Sequence, residues 1–502
     1  LANERLTGQK DARIQVAVVM VVIVTAAGAV DMLGRGNSGR FAHARHYNQS
    51  SSVVLENVEG ARPDLALSIS SQRRFCGIEK MWHAVVATHE GARMSATSLP
   101  RLSERGRNAP ASPIRKLEPL ARAATERGLK IYHLNIGQPD IATPTAFLEK
   151  ARLDAGEVLS YSPSAGMYSY RQALARYYNS LGMAIPIEER DLLVTTGGSE
   201  AIFFTLLAIC DPGDEVITPE PFYPNYGMFT LMAGAELKTL PTRIEDGFRL
   251  PTPDEFAKAV TPKTRAILLC NPSNPTGAVY SREALAQVVA LCRTHNLTLI
   301  CDEVYRDFVY GNQKKQSVLE LPEAADVTVV IDSLSKRFSA CGARIGCLIS
   351  KRADILDAAT RFAMSRLSPP TLGQLGGMAA IEDPGPFVDG MIDEFRRRRD
   401  VLSEELAKLP GVLAPEAQGA FYLMTRLPVD SAERFCSWLL SDFSHNGETV
   451  MLAPGPGFYR TPGAGQSEVR IAYVLAEAPL RRAVELLGRA LLAYPGRIEA
   501  QR

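Results

Sequence analysis

The 502-residue sequence predicts an α/β fold: a mainly parallel central sheet flanked by helices, with a smaller α+β domain formed by the N- and C-terminal parts. Three observations carry this reading. From about residue 111, short apolar runs alternate with helical patterns, as strands joined by helical crossovers do. Most of the polar and glycine-rich motifs fall at the ends of those runs, where ligands of parallel sheets bind. After Asp383-Pro384 the texture changes to a charged helix, short strands and a final helix.

The elements follow in order. A helix is expected over 113–127, and 130–135 is a short strand leading into IGQPD, 136–140. Residues 167–180 form an amphipathic helix. Then come a strand over 191–195, a helix over 199–210 and strands over 215–218 and 266–270. A helix over 282–295 precedes strands over 297–302, 327–332 and 344–350. Later helices cover 395–408 and 479–493. The expected domains are an atypical extension (1–93), an arm joining the small domain (94–143), a large cofactor-binding domain (144–382) and a small domain (383–502).

Composition sets few limits. The chain is 46% hydrophobic and 22% charged with net charge +1, an ordinary globular balance with no general pull toward nucleic acid or membrane. Its eight cysteines form no CxxC pair and no Cys/His metal spacing, so no metal is expected. Several sit in apolar runs, which suits a reducing cytosol and a cytoplasmic protein.

Residues 1–93 differ from the rest. They hold His43, His46, His83 and His89 and no regular alternation of strands and helices. The apolar run 16–30 is 15 residues long, short of the roughly 20 that span a membrane. Arg5, Lys10 and Arg13 precede it, and Ala27-Gly28-Ala29 resembles a cleavage site, but Glu4 and Asp11 interrupt the basic region. The preferred expectation is an upstream-translated or poorly ordered extension, with an export signal as the alternative.

The chemistry centres on Lys336, in DSLSKRFSACGARIG (332–346). Ser333 and Ser335 precede it and Arg344 follows. A lysine so placed suits an aldehyde cofactor that also carries a phosphate: the amine forms an imine, and the hydroxyls and guanidinium hold the phosphate. Asp302 ends the apolar run of LTLICDEVY, where a buried carboxylate needs a cation such as a protonated pyridine nitrogen; a helix N-cap is the bland reading. Tyr305, three residues on, is either core or a hydroxyl for the cofactor's phenolic oxygen. NPSNPTG (271–277) forces a non-helical loop, and it is either a turn alone or a device that presents Asn274. TTGGSEA (195–201) joins a strand to a helix, and Gly198 and Ser199 form an N-cap or a phosphate cradle. Tyr223, in PEPFYPNY, packs in its loop or stacks on a planar ring. Arg470, in VRIAY, lies among apolar residues and needs an anion, from the protein or from a substrate carboxylate.

Taken together, residues 113–493 resemble the pyridoxal-phosphate aminotransferases of fold type I, class I/II, the aspartate aminotransferase superfamily, with the motifs in family order. SPIRKLEPLA, YHLNIGQPD and ETVMLAPGPGFY look like one bacterial branch often labelled aspartate aminotransferase. The resemblance implies pyridoxal 5'-phosphate as cofactor and an amino acid and a 2-oxo acid, 2-oxoglutarate above all, as substrates. It implies Lys336 as Schiff-base lysine and general base, Asp302 on the pyridine nitrogen, and Tyr305 and Asn274 on the phenolic oxygen. Tyr223 would stack on the ring; Gly198, Ser199, Ser333 and Arg344 would meet the phosphate. Arg470, Asn274 and the backbone near Gly137 would hold the substrate carboxylate, and Phe421 in GAFY would line the pocket. Tyr161 would reach the site of a neighbouring subunit, which implies a homodimer.

One position departs. In one aspartate-using branch a Lys follows the paired glycines and contacts the side-chain carboxylate; here it is Ser199, so dicarboxylic specificity does not follow from this motif, although another Arg or Lys could serve. Two alternatives are a lyase or synthase on the same scaffold, and a transcription regulator with an aminotransferase-like domain. The regulator needs a basic helix-turn-helix module, where residues 1–93 offer an apolar run.

Overall fold

A computed structural model describes residues 101–499 and the backbone of two short strands, β1 (Met32–Arg35) and β2 (Phe41–Ala44), which pair antiparallel. Apart from the backbone of β1 and β2, the 1–93 extension, its apolar run 16–30 included, lies outside the described residues. The chain divides between residues 101 and 102. Among the described residues, no helix is long and apolar enough to cross a membrane.

After the helices Glu104–Asn108 and Glu118–Glu126, the first strand of the second unit is the short β3 (Lys130–His133). The large sheet then takes β4 (Leu192–Thr195), β5 (Glu215–Glu220), β6 (Glu236–Pro241), β7 (Thr264–Cys270), β8 (Thr298–Asp302), β9 (Thr328–Ser333) and β10 (Gly346–Ser350) in the order β4-β10-β9-β8-β7-β5-β6. All its pairs are parallel except those of β10, which runs antiparallel to both β4 and β9. This is the mainly parallel α/β sheet the sequence predicts. β7, β8 and β9 are buried along almost their whole length, so both faces are covered by helices.

The helix Arg282–His295 illustrates the local logic. The Ser281 hydroxyl caps it by accepting from the Ala284 N–H, Leu285, Val288, Val289 and Cys292 bury one stripe, and Asn296 ends it in the left-handed region at φ 53°. Further on, β11 (Tyr422–Arg426), β12 (Glu448–Met451), β13 (Ala453–Pro454) and β14 (Glu468–Ala472) form smaller sheets. β14 lies between β11 and β13, antiparallel to both, while β12 pairs in parallel with β3. That pairing ties residues 130–133 to 448–451.

Several boundaries differ from expectation. The helix expected over 113–127 spans Glu118–Glu126, because Pro119 is tolerated in a first turn and the Ser112 carbonyl accepts from both Arg115 and Lys116 in a preceding turn. The strand expected over 344–350 starts at Gly346, since Arg344 sits at φ +53°. The helix expected over 395–408 is Gly385–Ala407, because Val388, Met391, Ile392 and Phe395 extend its buried stripe back to Pro384.

Behind the carboxyl edge of the sheet lies a buried charge cluster. Arg337 donates to Asp332 at 2.8 Å and pairs with Asp307; Arg306 lies 3.4 Å from Asp332. The Tyr178 hydroxyl donates to the same Asp332 oxygen at 2.6 Å, and its ring lies under the Arg306 guanidinium at 5.2 Å. Burial would raise the Asp307 carboxyl, but Arg337 and Arg306 outweigh it and hold it at about 2. The cluster joins the end of β9 to the segment after β8; Asp302 closes β8, and Lys336 follows the end of β9 by three residues. Arg337→Ala leaves two buried carboxylates short of a cation and is expected to cost about 3–5 kcal/mol of unfolding free energy. Urea denaturation measures it; a loss under about 0.5 kcal/mol would show that Arg306 alone balances both acids.

Candidate active site

Parallel strands deliver their polar ends to one edge, and a cavity of about 590 Å³ opens there. Eleven of the sequence-predicted site residues line it: Gly137, Gly198, Ser199, Tyr223, Asn274, Asp302, Tyr305, Ser333, Lys336, Arg344 and Arg470. Another cavity of about 600 Å³, around Phe248, Thr276 and Gln418, holds none of them.

Lys336 sits on the short helix Leu334–Arg337, whose N-cap is Ser333. Its Nζ is half-buried and donates to the Gly137 carbonyl at 2.7 Å. Asp302 ends β8 fully desolvated. Burial pushes its carboxyl up to about 6, although the Tyr226 hydroxyl donates to it at 2.6 Å. Among the described residues no Lys or Arg pairs with it, although the Lys336 charge acts on it. Tyr305 exchanges a hydrogen bond with the Tyr422 hydroxyl at 2.9 Å.

One side of the cavity is built for an anion. Gly197, at φ 77°, caps the helix Gly198–Ile209, whose first N–H groups face the cavity with Ser199. Arg344 lies over this turn; a Cβ on Gly197 would stand 2.7 Å from its Nη2. Gly346 is pressed against the same turn, where a Cβ would lie 2.6 Å from the Gly197 carbonyl carbon and 2.7 Å from the Gly198 nitrogen. The Ser333 hydroxyl bonds Ser335 at 2.9 Å and the Ile345 carbonyl at 2.7 Å, completing the rim.

The other side holds Arg470, 1% exposed on β14. Its guanidinium donates to Asn274 Oδ1 at 3.0 Å and the Asn135 carbonyl at 2.5 Å, both neutral acceptors. Among the described residues its buried Nε has no hydrogen-bond partner, and burial lowers its affinity for a proton. A buried guanidinium so placed fits an incoming carboxylate. Gly137 is required opposite it, since a Cβ would collide with the Tyr422 hydroxyl at 1.8 Å.

Two expected residues stand elsewhere. Phe421 is fully buried one layer behind the cavity, packed on Phe395 at 5.0 Å, with Lys336 Nζ 5.8 Å from its ring. Tyr422 takes the lining position, because neighbouring residues of an extended chain face opposite ways. Tyr161 is 80% exposed and outside the cavity. Among the lining residues that the sequence reading gave no role are Tyr226, three residues beyond Tyr223; Tyr422, beside Phe421; and Arg115, in SPIRKL. The first two were adjacent to residues already singled out; Arg115 gave no signal beyond a surface charge.

The residues present fit a ring that bears a cationic nitrogen, an aldehyde and a phosphate: a carboxylate without a cation, a half-buried amine and an anion cradle share one cavity. Comparison with known proteins agrees. The family model for aminotransferase class I and II matches residues 130–487. The chain is 34% identical to an aspartate/prephenate aminotransferase of Thermus thermophilus over 372 residues, 73% of this chain and 92% of that protein. It is 30% identical to an aspartate aminotransferase of Geobacillus stearothermophilus over 380 residues, 74% of this chain and 93% of that protein. A solved structure of the Thermus thermophilus aspartate aminotransferase with maleate superposes with a TM-score of 0.71 at 31% identity, covering 78% of this chain and all of the other. The chain therefore belongs to the class I and II aminotransferases, a family of enzymes that use pyridoxal 5'-phosphate.

Proposed function

We propose that the protein moves an amino group between an L-amino acid and a 2-oxo acid, 2-oxoglutarate among them, with pyridoxal 5'-phosphate held in the 590 Å³ cavity. The observation that carries this is the placement of Lys336 between an anion cradle and a buried arginine that lacks an anion. Gly198, Ser199, Ser333 and Arg344 would hold the phosphate, Asp302 the ring nitrogen, Tyr305 and Asn274 the phenolic oxygen, and Tyr223 the ring face. The bound group supplies an electron sink for the pair left when the substrate α-carbon loses its proton. Lys336 Nζ would hold the group covalently and, once the substrate amine has displaced it, take that proton. Arg470 and Asn274 would orient the substrate by its α-carboxylate, and Gly137 leaves room beside it. Tyr422 and Tyr305 close the wall behind.

The proposed unit is a homodimer. Support comes from exposed apolar side chains at Leu148, Leu153, Val158, Leu159, Tyr161 and Tyr168, on and after a helix that packs against Thr371–Glu382. Such a run needs a cover, and Tyr161 within it would then reach the neighbouring site.

Two outcomes test these assignments. Protein loaded with pyridoxal 5'-phosphate and mixed with a single amino acid, without acceptor, is expected to change its visible absorbance. Lys336→Ala is expected to lose transamination by about 10²–10⁴-fold or more; a fully active variant would overturn the assignment. Asp302 gives a second test in cofactor-free protein. Its folded carboxyl titrates at about 6 against an ordinary 3.8, so the native state holds an extra proton between those values. Stability is then greatest below the ordinary value and declines as pH rises toward 6. Asp302→Asn is expected to be more stable than the parent at pH ~7.5 by about 1–3 kcal/mol, with the gap closing as pH falls to ~4. Thermal unfolding across that range reads it; a pH-independent gap would show that Asp302 is already neutralised.

A further inference from the structure

We propose that the ion pair between Arg398 and Asp140 is a positioning device for the reaction: it fixes the segment 136–143 so that the Gly137 carbonyl can receive the free Lys336 amine. The inference rests on the aminotransferase reading and adds two residues that stand outside the cavity lining.

Arg398 lies within the helix Gly385–Ala407 and is 4% exposed. Its guanidinium donates to Asp140 at 2.7 Å, to Glu394 at 2.8 Å and to the Val474 carbonyl, and the Phe395 ring lies 5.2 Å from it. One side chain thus fastens two segments to one helix: the loop that contains Gly137, and the chain just beyond β14, which carries Arg470. Glu394, one turn earlier, already gives the buried guanidinium a carboxylate. Asp140 is half-exposed and would keep its hydration if it stood alone. Charge balance therefore does not require their pairing; what the pair adds is the place of the loop.

The link from Asp140 to Gly137 is short and stiff, since only Gln138 and Pro139 intervene and the proline ring fixes one backbone angle. The far end of the segment is held from the chain that follows Lys336. The Ser339 hydroxyl donates to the Ile141 carbonyl, and the Thr143 hydroxyl donates to the Ser339 carbonyl at 2.8 Å. Segment 136–143 is clamped on both sides, and Lys336 Nζ donates to its Gly137 carbonyl at 2.7 Å. An amine that gives one N–H to a fixed carbonyl keeps its lone pair free and aimed, as a base that takes the α-proton needs. A base displaced by about 1 Å can lose on the order of 10²-fold in rate.

The test uses the holoenzyme with Asp140→Asn, Asp140→Glu, Arg398→Lys and the double variant Asp140→Asn/Arg398→Lys. Asp140→Asn leaves Arg398 with Glu394 and Val474, so its thermal unfolding is expected to match the parent's. Half-reactions with several amino donors, followed by absorbance, are expected to show kcat lowered roughly 10- to 100-fold by the same factor for every donor, with KM changed less than about threefold. Asp140→Glu is expected to recover part of the loss, and the double variant to be no slower than Arg398→Lys alone. Hydrogen exchange read by mass spectrometry is expected to quicken over 136–143 in Asp140→Asn and nowhere else. A parental kcat in Asp140→Asn would overturn the proposal, and so would a loss confined to KM, a loss that tracks a general fall in thermal stability, or unchanged exchange over 136–143. If the Arg398 variants do not fold, the two Asp140 variants decide. If the parent converts no donor, the aminotransferase reading fails, and exchange alone then decides whether the pair fixes the segment.

Discussion

Asp302 and Asp332 end neighbouring strands in the dry interior, and neither carboxylate is stable there without a cation. The protein treats them differently. Asp332 is supplied from within, by Arg337, Arg306 and the Tyr178 hydroxyl. Asp302 receives a hydroxyl and a backbone N–H, and burial pushes its carboxyl up to about 6 against them. The same contrast separates the arginines. Arg337 is fully paired, whereas Arg470 bonds only neutral oxygens. The groups satisfied internally fix the strand ends; those left wanting mark where a ligand belongs. The rest of the site follows from that division.

Close backbone approach supplies the other half of the construction. β10 runs antiparallel between β4 and β9, and Gly346 brings it against the Gly197–Gly198 turn with no room for a side chain. Arg344, two residues earlier and at φ +53°, turns its guanidinium over that same turn. The left-handed backbone at a non-glycine residue costs about 1–3 kcal/mol, and here it aims a cation at a helix N-terminus. An anion would repay that arrangement, since the helix dipole and the guanidinium act on it together.

Much of this was legible in the sequence because strand ends announce themselves. Apolar runs closing in Asp302 and in Asp332-Ser333, with Lys336 three residues further, locate the edge of a buried sheet. The residues missed were hidden for specific reasons. Arg306 and Arg337 flank Tyr305 and Lys336 with no local sign of a partner; only the sheet sets them against Asp332 and Asp307. GAFY marks a loop, but not which of two consecutive aromatics faces the cavity. The helix Asn225–Ala233 is apolar nearly all round and gives no period to detect. Arg115 lies beside Lys116, and nothing local separates the one that pairs with Glu433 from the one that enters the cavity.

Two arginines that line the cavity outside the anion cradle differ in burial. Arg115 is exposed and keeps its hydration, so a contact it made in water would be worth less than one made in the interior. Arg470 is sealed in, and its desolvation is already part of the fold. A carboxylate that reached it would meet a guanidinium with no water left to displace, so an anion entering the cavity would gain most at Arg470.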